Sequence, residues 1–330
     1  MQEGAINSLE LDKSKIDETI ASSGKYEENG IFIKKWEGGE SESDTQDRYI
    51  TEISKNNSKY IGTLDQKFKR DGYGLQIFEN GDKYFGQFSQ DQREEEGIYF
   101  WCPISNETNT QSEIFLGNWK ENKKYNNGMY LWIDEPQNNI EYENADLDAY
   151  VGELENEKYT RGTYLSKKEK NISLYHGNFD KEGKKTDDNA FFYTSQTNRI
   201  FFGKVNKDVL LSGYLGSVDE SDEVKDLVFC NFNEDGSVKE IIEMSKLNQE
   251  EAEDAKKKIS LFKEVIFDGG YFKKIYSKYL KVKNKVDNIF CDVSIFDKKD
   301  YFPDIKKLLS KYKRKNIYIY IEENFFGREF

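Results

Sequence analysis

Residues 60–88 read YIGTLDQKFKRDGYGLQIFENGDKYFGQF, and the same short pattern stands at both ends. Tyr60-Gly62-Leu64 and Tyr84-Gly86-Phe88 each set a ring, a glycine and an apolar group at alternate positions. In a strand, alternate residues face the same way, so each triplet forms a row on one face. Glycine weakens a strand interior and marks a place where something approaches closely. The slot over Gly86 is therefore expected to hold a ring, taken here to come from the adjacent repeat. The glycine costs about 1 kcal/mol of backbone entropy, and burying a ring of roughly 150–250 Å² more than offsets it. Between the triplets, Gly72-Tyr73-Gly74 supplies a second strand, and Asn80-Gly81 is a strong hairpin-turn signal.

Outward from this stretch the pattern continues as Phe115-Gly117-Trp119, Tyr150-Gly152-Leu154, Tyr175-Gly177-Phe179 and Phe201-Gly203-Val205, with successive starts 24, 31, 35, 25 and 26 residues apart. A Gly-x-ring element follows most of them: Gly97-Ile98-Tyr99, Gly128-Met129-Tyr130, Gly162-Thr163-Tyr164 and Gly213-Tyr214-Leu215. The fifth repeat runs through KEGKKTDDNA to Phe191 with no glycine in the expected slot, and a partial earlier copy is read at Gly30-Ile31-Phe32 with Trp36. A period in this range is the mark of a stacked repeat architecture.

These residues resemble the MORN family, the membrane occupation and recognition nexus repeat, whose motif is roughly Tyr-x-Gly-x-Phe/Trp, then Gly-x-Gly near the dozen mark, then an Asn/Asp-Gly turn. The resemblance covers about residues 60–216. It departs from the family pattern where Leu64, Leu154 or Val205 replaces a ring and where inserts stretch the period. It implies a mainly β fold, an elongated single-layer antiparallel sheet of stacked hairpins. Strand spacing gives about 10 Å per repeat and roughly 60 Å for six.

The long repeats owe their length to PISNETNTQSE (103–113) and DEPQNNIEYENADLD (134–148). Both fall between a second strand and the next first strand and so emerge on one edge, either as a binding face or as solvated loops that tolerate insertion. Residues 1–25 suit a short helix with Leu9, Ile16 and Ile20 on one side. Residues 26–59 hold the partial repeat and an acidic linker (37–48). A further linker spans 217–226, within a segment (217–247) closed by a hairpin turning at Asp235-Gly236. Residues 248–330 read as a basic α/β module, with helical spacing at Ile259, Phe262 and Ile266 and a βαβ order around Pro303-Asp304.

Charge is split. The chain carries −13 overall; residues 270–330 carry 15 basic and 8 acidic side chains, +7, which leaves −20 for residues 1–269. A net-acidic chain is a poor nucleic-acid binder. Cys102, Cys230 and Cys291 lie too far apart for a CxxC motif and read as reduced thiols of an intracellular protein. No secretory h-region and no run of 18 apolar residues are present. His176, with no histidine or cysteine beside it, reads as a solvent-side strand residue on the face opposite Tyr175. NFNEDGSVKEIIE (231–243) lacks both strong carboxylates of a calcium loop and reads as a hairpin. The glycines form no GxGxxG or GxxxxGK[ST], no GxSxG is present, and Glu94-Glu95-Glu96 and Asp187-Asp188 read as solvated loop acids. No catalytic, cofactor or metal residues are assigned, and the chain is expected not to be an enzyme.

The resulting expectation is a scaffold that makes protein contacts through the array. The resemblance extends to axonemal MORN proteins, radial spoke heads included, and abundant Asn, Lys, Tyr and Ile with scarce Pro and His fits an AT-rich protist coding bias. A cytoskeletal, ciliary setting with axonemal partners is thus the leading expectation. The basic run Lys311, Lys313, Arg314 and Lys315 fits an acidic lattice such as tubulin. It also fits an anionic membrane, at about 1 kcal/mol per charge, or a plain helix end. The alternative function is a peripheral phosphoinositide-binding module.

Overall fold

Segments that alternate rings and glycine can bury a face only by pairing, and they pair in chain order. The computed structural model describes residues 12–35, 49–55, 57–105, 109–136, 145–219, 224–253 and 257. Helix α1 (Lys13–Ser23) leads into β1 (Lys25–Glu28), β2 (Ile31–Lys35), β3 (Tyr49–Lys55), β4 (Ser58–Leu64), β5 (Arg70–Ile77), β6 (Lys83–Ser89), β7 (Gln92–Phe100), β8 (Ile104–Ser105) and β9 (Asn109–Lys120). Then follow β10 (Lys123–Pro136), β11 (Asp146–Glu155), β12 (Lys158–Lys168), β13 (Asn171–Asn178), β14 (Asp187–Thr194), β15 (Arg199–Asn206), β16 (Val209–Val218), β17 (Val224–Phe232) and β18 (Val238–Glu243). All belong to one 18-stranded sheet. Every pairing is antiparallel, and β7 and the two-residue β8 share one edge of β9, so the open sheet is seventeen strands wide.

The register places the motif glycines opposite one another. Gly62 faces Gly74, Gly74 faces Gly86, and Gly86 faces Gly97. The row continues through Gly117, Gly128, Gly152, Gly162 and Gly177. In the fifth repeat Ala190, fully buried, faces Gly203 and fills the slot where the sequence shows no glycine. Gly203 faces Gly213, which faces the buried Cys230. Two residues away on the same face runs a row of rings: Tyr84, Tyr99, Phe115, Tyr130, Tyr150, Tyr164, Tyr175, Phe192 and Phe201. Gly72 stands outside the glycine row, opposite Phe88 with φ +87°, inside β5 where the ladder to β4 shifts register and positive φ favours glycine.

The ring over Gly86 stands two residues earlier on the same strand and also covers Gly97 on the paired strand of the same repeat, which corrects the expectation of a ring from the adjacent repeat. A Cβ added at Gly97 would lie 2.6 Å from Tyr84 Cζ, and one at Gly74 would lie 2.6 Å from Tyr60 Cε2. Side chains in strands lean along the strand direction, so Tyr84 lies down over Gly86 and its partner Gly97. The hydroxyls end this motion at one point. Tyr60, Tyr84, Tyr150 and Tyr175 donate to the carbonyls of Thr63, Gln87, Glu153 and Asn178 at 2.9, 3.0, 2.7 and 2.6 Å. In three of these strands the ladder shifts register just there, after Gly62, Gly86 and Glu153, which leaves a carbonyl for the phenol. Burial drives the Tyr60 and Tyr84 phenols far above their ordinary range. Neighbouring repeats then meet edge to face, as with Tyr84 and Trp119 at 5.4 Å.

Cations cap the ring row. Arg70, opposite Leu64, lies 4.9 Å from the Phe88 ring centre and pairs with Asp91 at 3.2 Å. Arg93, opposite Phe88, is 6% exposed and lies 4.6 and 5.2 Å from the Trp119 and Tyr99 ring centres, while its guanidinium donates to Asn122 O at 2.9 Å. Lys124, opposite Trp119, lies 4.8 Å from Tyr130, and burial holds its ammonium below the usual lysine range. Replacing Arg93 by Met keeps the stem but removes the charge. The expected loss is about 1–2 kcal/mol, read as a lowered urea midpoint, with Arg93→Lys recovering part of it. Midpoints equal to wild type would show that the stack carries no energy.

The opposite face is buried as well, among the described residues: Ile61, Leu75, Phe85, Ile98, Val151 and Phe191 are each 5% exposed or less. The exposed large hydrophobics among the described residues are Ile104, Tyr125, Val238 and Ile241. Strands buried on both sides read as continuous apolar runs, and Tyr84-Phe85, Phe191-Phe192 and Phe201-Phe202 are such runs. His176 belongs to this buried face. It is 9% exposed, with Nδ1 3.0 Å from Thr163 Oγ1, so the solvent-side reading of it is wrong.

Local chemistry sets the ends. Asp12 caps α1 through Lys15 N–H at 3.1 Å, Gly24 closes it at φ +80°, and Ile16 and Ile20 pack on the ring-face core beside Tyr26 and Ile33; Leu9 lies outside the described residues. Gly30 is the β1–β2 turn residue, not a strand glycine, so the partial copy adds strands without the glycine motif. The Asn80-Gly81 turn forms as read, with Gly81 N–H donating to Phe78 O at 2.9 Å. Residues 217–218 end β16 and 224–226 open β17, with Val218 opposite Val224, so these parts of the expected linker carry sheet. The Asp235-Gly236 hairpin joins β17 to β18. Glu94-Glu95-Glu96 lie in β7 and Asp187-Asp188 in β14, not in loops. Asn248 caps a helical start through Glu250 N–H at 3.0 Å. The acidic linker 37–48, Trp36, and the α/β module beyond 257 lie outside the described residues.

Candidate functional site

The two longest strands, β9 and β10, mark the site. β9 and β10 run 12 and 14 residues, and β11 runs 10, because much of the two polar inserts is strand: 109–113, 134–136 and 146–148 all lie within them. That corrects the reading of the inserts as loops. Residues 106–108 and 137–144 are outside the described set. The extra length carries the ring face beyond the ring row, adding two further cross-strand rows.

The first added row runs Trp101, Glu113, Trp132, Asp148, with Trp101 N–H donating to Glu113 O and Trp132 opposite both Glu113 and Asp148. The second row sets Asp134 between Gln111 and Asp146, with Lys168 beyond. Together with Asn80, Asp82, Cys102 and Tyr164 these residues line a groove of about 810 Å³. Two of the lining residues, Trp132 and Trp101, stack on Tyr130, at 4.3 Å and 17° and at 5.2 Å and 22°.

Five lining carboxylates, those of Asp82, Glu113, Asp134, Asp146 and Asp148, face one lining cation, Lys168. Tyr99 donates to Asp82 Oδ2 at 2.7 Å and Cys102 N–H to Asp82 Oδ1 at 2.7 Å. Tyr130 donates to Glu113 Oε1, and Glu169 N–H to Asp146 Oδ1 at 2.7 Å. Burial, with the Glu113 carboxylate second, holds the Tyr130 phenol far above its ordinary range. Lys168 Nζ lies 3.0 Å from Asp148 Oδ2. Asp148 Oδ1 and Asp134 Oδ1 are buried with no hydrogen-bond partner among the described residues. Asp134 and Asp146 face each other directly, an arrangement of like charges that costs energy across a strand pair. Chemically, the groove attracts a cation larger than a metal ion: flat indole faces take cation–π contacts, and the carboxylates accept charge-assisted hydrogen bonds. Among the described residues no group of three or more His, Cys, Asp or Glu is placed to hold a metal.

Of the residues read from the sequence, the motif glycines other than Gly72 form one cross-strand row, the motif rings Tyr84, Tyr99, Phe115, Tyr130, Tyr150, Tyr164, Tyr175 and Phe201 fall in the next, and the groove lies beyond that ring row. Lys311, Lys313, Arg314 and Lys315 lie outside the described residues. Sequence reasoning passed over Arg70, Arg93 and Lys124, although a spacing signal exists: each stands five or six residues after Leu64, Phe88 or Trp119. It also passed over the groove residues, because PISNETNTQSE and its counterpart read as polar loop. Among the described residues no helix is long and apolar enough to cross a membrane. No protein-family model matches the chain, and no curated protein matches it either.

Proposed function

We propose that the chain is a non-enzymatic assembly subunit whose MORN-type array presents the acidic, aromatic groove to a protein partner. The supporting observation is the coincidence of the groove with the insert-lengthened strands β9–β11. The array elsewhere repeats a structural unit, and here it departs from it. The setting implied by the resemblance is a ciliary axoneme, with radial-spoke-like neighbours. The rival reading, phosphoinositide binding through the array, is disfavoured at this site because five carboxylates repel an anionic headgroup.

Deleting the inserts is a poor test, since it removes paired strand. Charge reversal within the groove is cleaner. A tagged chain carrying Asp134→Lys is expected to leave its high-mass complex in native extracts and to sediment as the free chain, with its thermal midpoint close to wild type. Localisation of the wild-type chain to cilia would support the finer setting. A wild-type chain that runs as a free monomer in extracts, or that floats with phosphoinositide vesicles, would overturn the scaffold reading.

A further inference from the structure

Resting on the scaffold reading and naming its partner's chemistry, we infer that the groove docks an extended segment of another protein carrying two arginines or lysines three positions apart. The spacing follows from the first added row. Glu113 and Asp148 stand on β9 and β11 with Trp132 of β10 between them. Two interstrand steps put their backbones about 9–10 Å apart. A polyproline-like segment crossing the strands advances about 9 Å in three residues. Its two basic groups then reach Glu113 and Asp148 in turn, while the intervening stem lies on the Trp132 indole.

Three further features point to a cation. Asp134 and Asp146 oppose one another without a basic residue between them in the register, so a guanidinium above the pair offsets their repulsion. The buried Oδ1 atoms of Asp134 and Asp148 lack a hydrogen-bond partner among the described residues, and an unsatisfied acceptor in a desolvated place is costly. Trp101 and Trp132 line the groove on either side of Tyr130, stacked on it at 5.2 and 4.3 Å, and an indole face suits a planar guanidinium. Lys168, salt-bridged to Asp148 and half-exposed, is the internal competitor that a partner's cation displaces.

The test is fluorescence anisotropy of a labelled peptide, Arg-x-x-Arg in a neutral Gly/Ser background, titrated with the full chain. Saturable binding that weakens as salt rises is expected. Trp132→Ala and Asp148→Asn should each weaken it about tenfold, Lys168→Gln should tighten it, and Asp188→Asn, outside the groove, should leave it unchanged. Asp148→Asn retains the row's shape, so it reports binding even if Trp132→Ala fails to fold. Equal affinity for a Glu-x-x-Glu peptide, no binding at all, or binding indifferent to Asp148→Asn would overturn the assignment. So would a gain of peptide affinity in full-length chain bearing Lys313→Glu with Arg314→Glu, since that result makes the chain's own basic run the occupant. The two readings fail separately: a chain that keeps its cellular complex but ignores the peptide loses only this inference.

Discussion

Gly86→Val is expected to unfold the array around β6 and β7, with a loss of about 4 kcal/mol or more seen as a collapse of the urea midpoint. A Cβ at Gly86 meets Tyr84 Cζ at 2.6 Å and the Cα of Gly97 at 2.6 Å. The first clash expels a fully buried ring, which costs what large core truncations cost, about 3–5 kcal/mol. The second is with backbone and has no rotamer to relieve it, which adds about 1–3 kcal/mol of overpacking. The expelled phenol also loses its bond to Gln87 O. Removing the ring as well, in Tyr84→Ala with Gly86→Val, should not restore stability, because the Gly97 Cα clash remains. Gln87→Val, one position along and half-buried, is the control and should cost little. A Gly86→Val midpoint within about 0.5 kcal/mol of wild type would show that the glycine row is not a packing requirement.

Acidification from neutral pH is expected to destabilise the fold through His176. Burial, helped by the nearby Arg161 charge, pushes its pKa down to about 3 from an ordinary value of 6.5. On one side it meets Thr163, on the other Phe191, and neither supplies a carboxylate to hold a proton. Its folded pKa lies below its unfolded one, so between those values the unfolded chain binds a proton that the folded chain refuses. The stability contributed is therefore complete above about pH 6.5 and is lost as pH falls toward 3, by up to about 1.4 kcal/mol per unit. His176→Thr, which repeats the residue opposite, should flatten this slope. The difference between wild-type and variant unfolding free energies should change by about 2 kcal/mol from pH 7 to pH 5, above the range where most carboxylates titrate. Parallel pH profiles for the two proteins would place His176 in contact with water.

What could be read in advance was whatever repeats at short range. Tyr84-Gly86-Phe88 states its own face by alternation, Asn80-Gly81 states its own turn, and six recurrences state that hairpins stack. The misreadings share a cause. Arg93 and Lys124 were passed over because their spacing after Phe88 and Trp119 does not by itself say that rings will surround the cation, as four do for Arg93. His176 was read as exposed because one histidine in a strand carries no mark of what covers the second face. The inserts read as loops because their Asn, Asp, Pro and Glu are poor strand formers, yet pairing with β10 holds both 109–113 and 146–148 extended.

The sequence by itself determined the period, the hairpin order and the positions where side chains must be missing, since each depends on neighbours within a few residues. Tertiary structure alone decided three things: which ring covers which glycine, that both faces are buried, and that Glu113, Trp132 and Asp148 form one row. The last of these rests on cross-strand register between residues about 15–20 positions apart in the chain. A shift of a single residue would send each of those side chains to the other face.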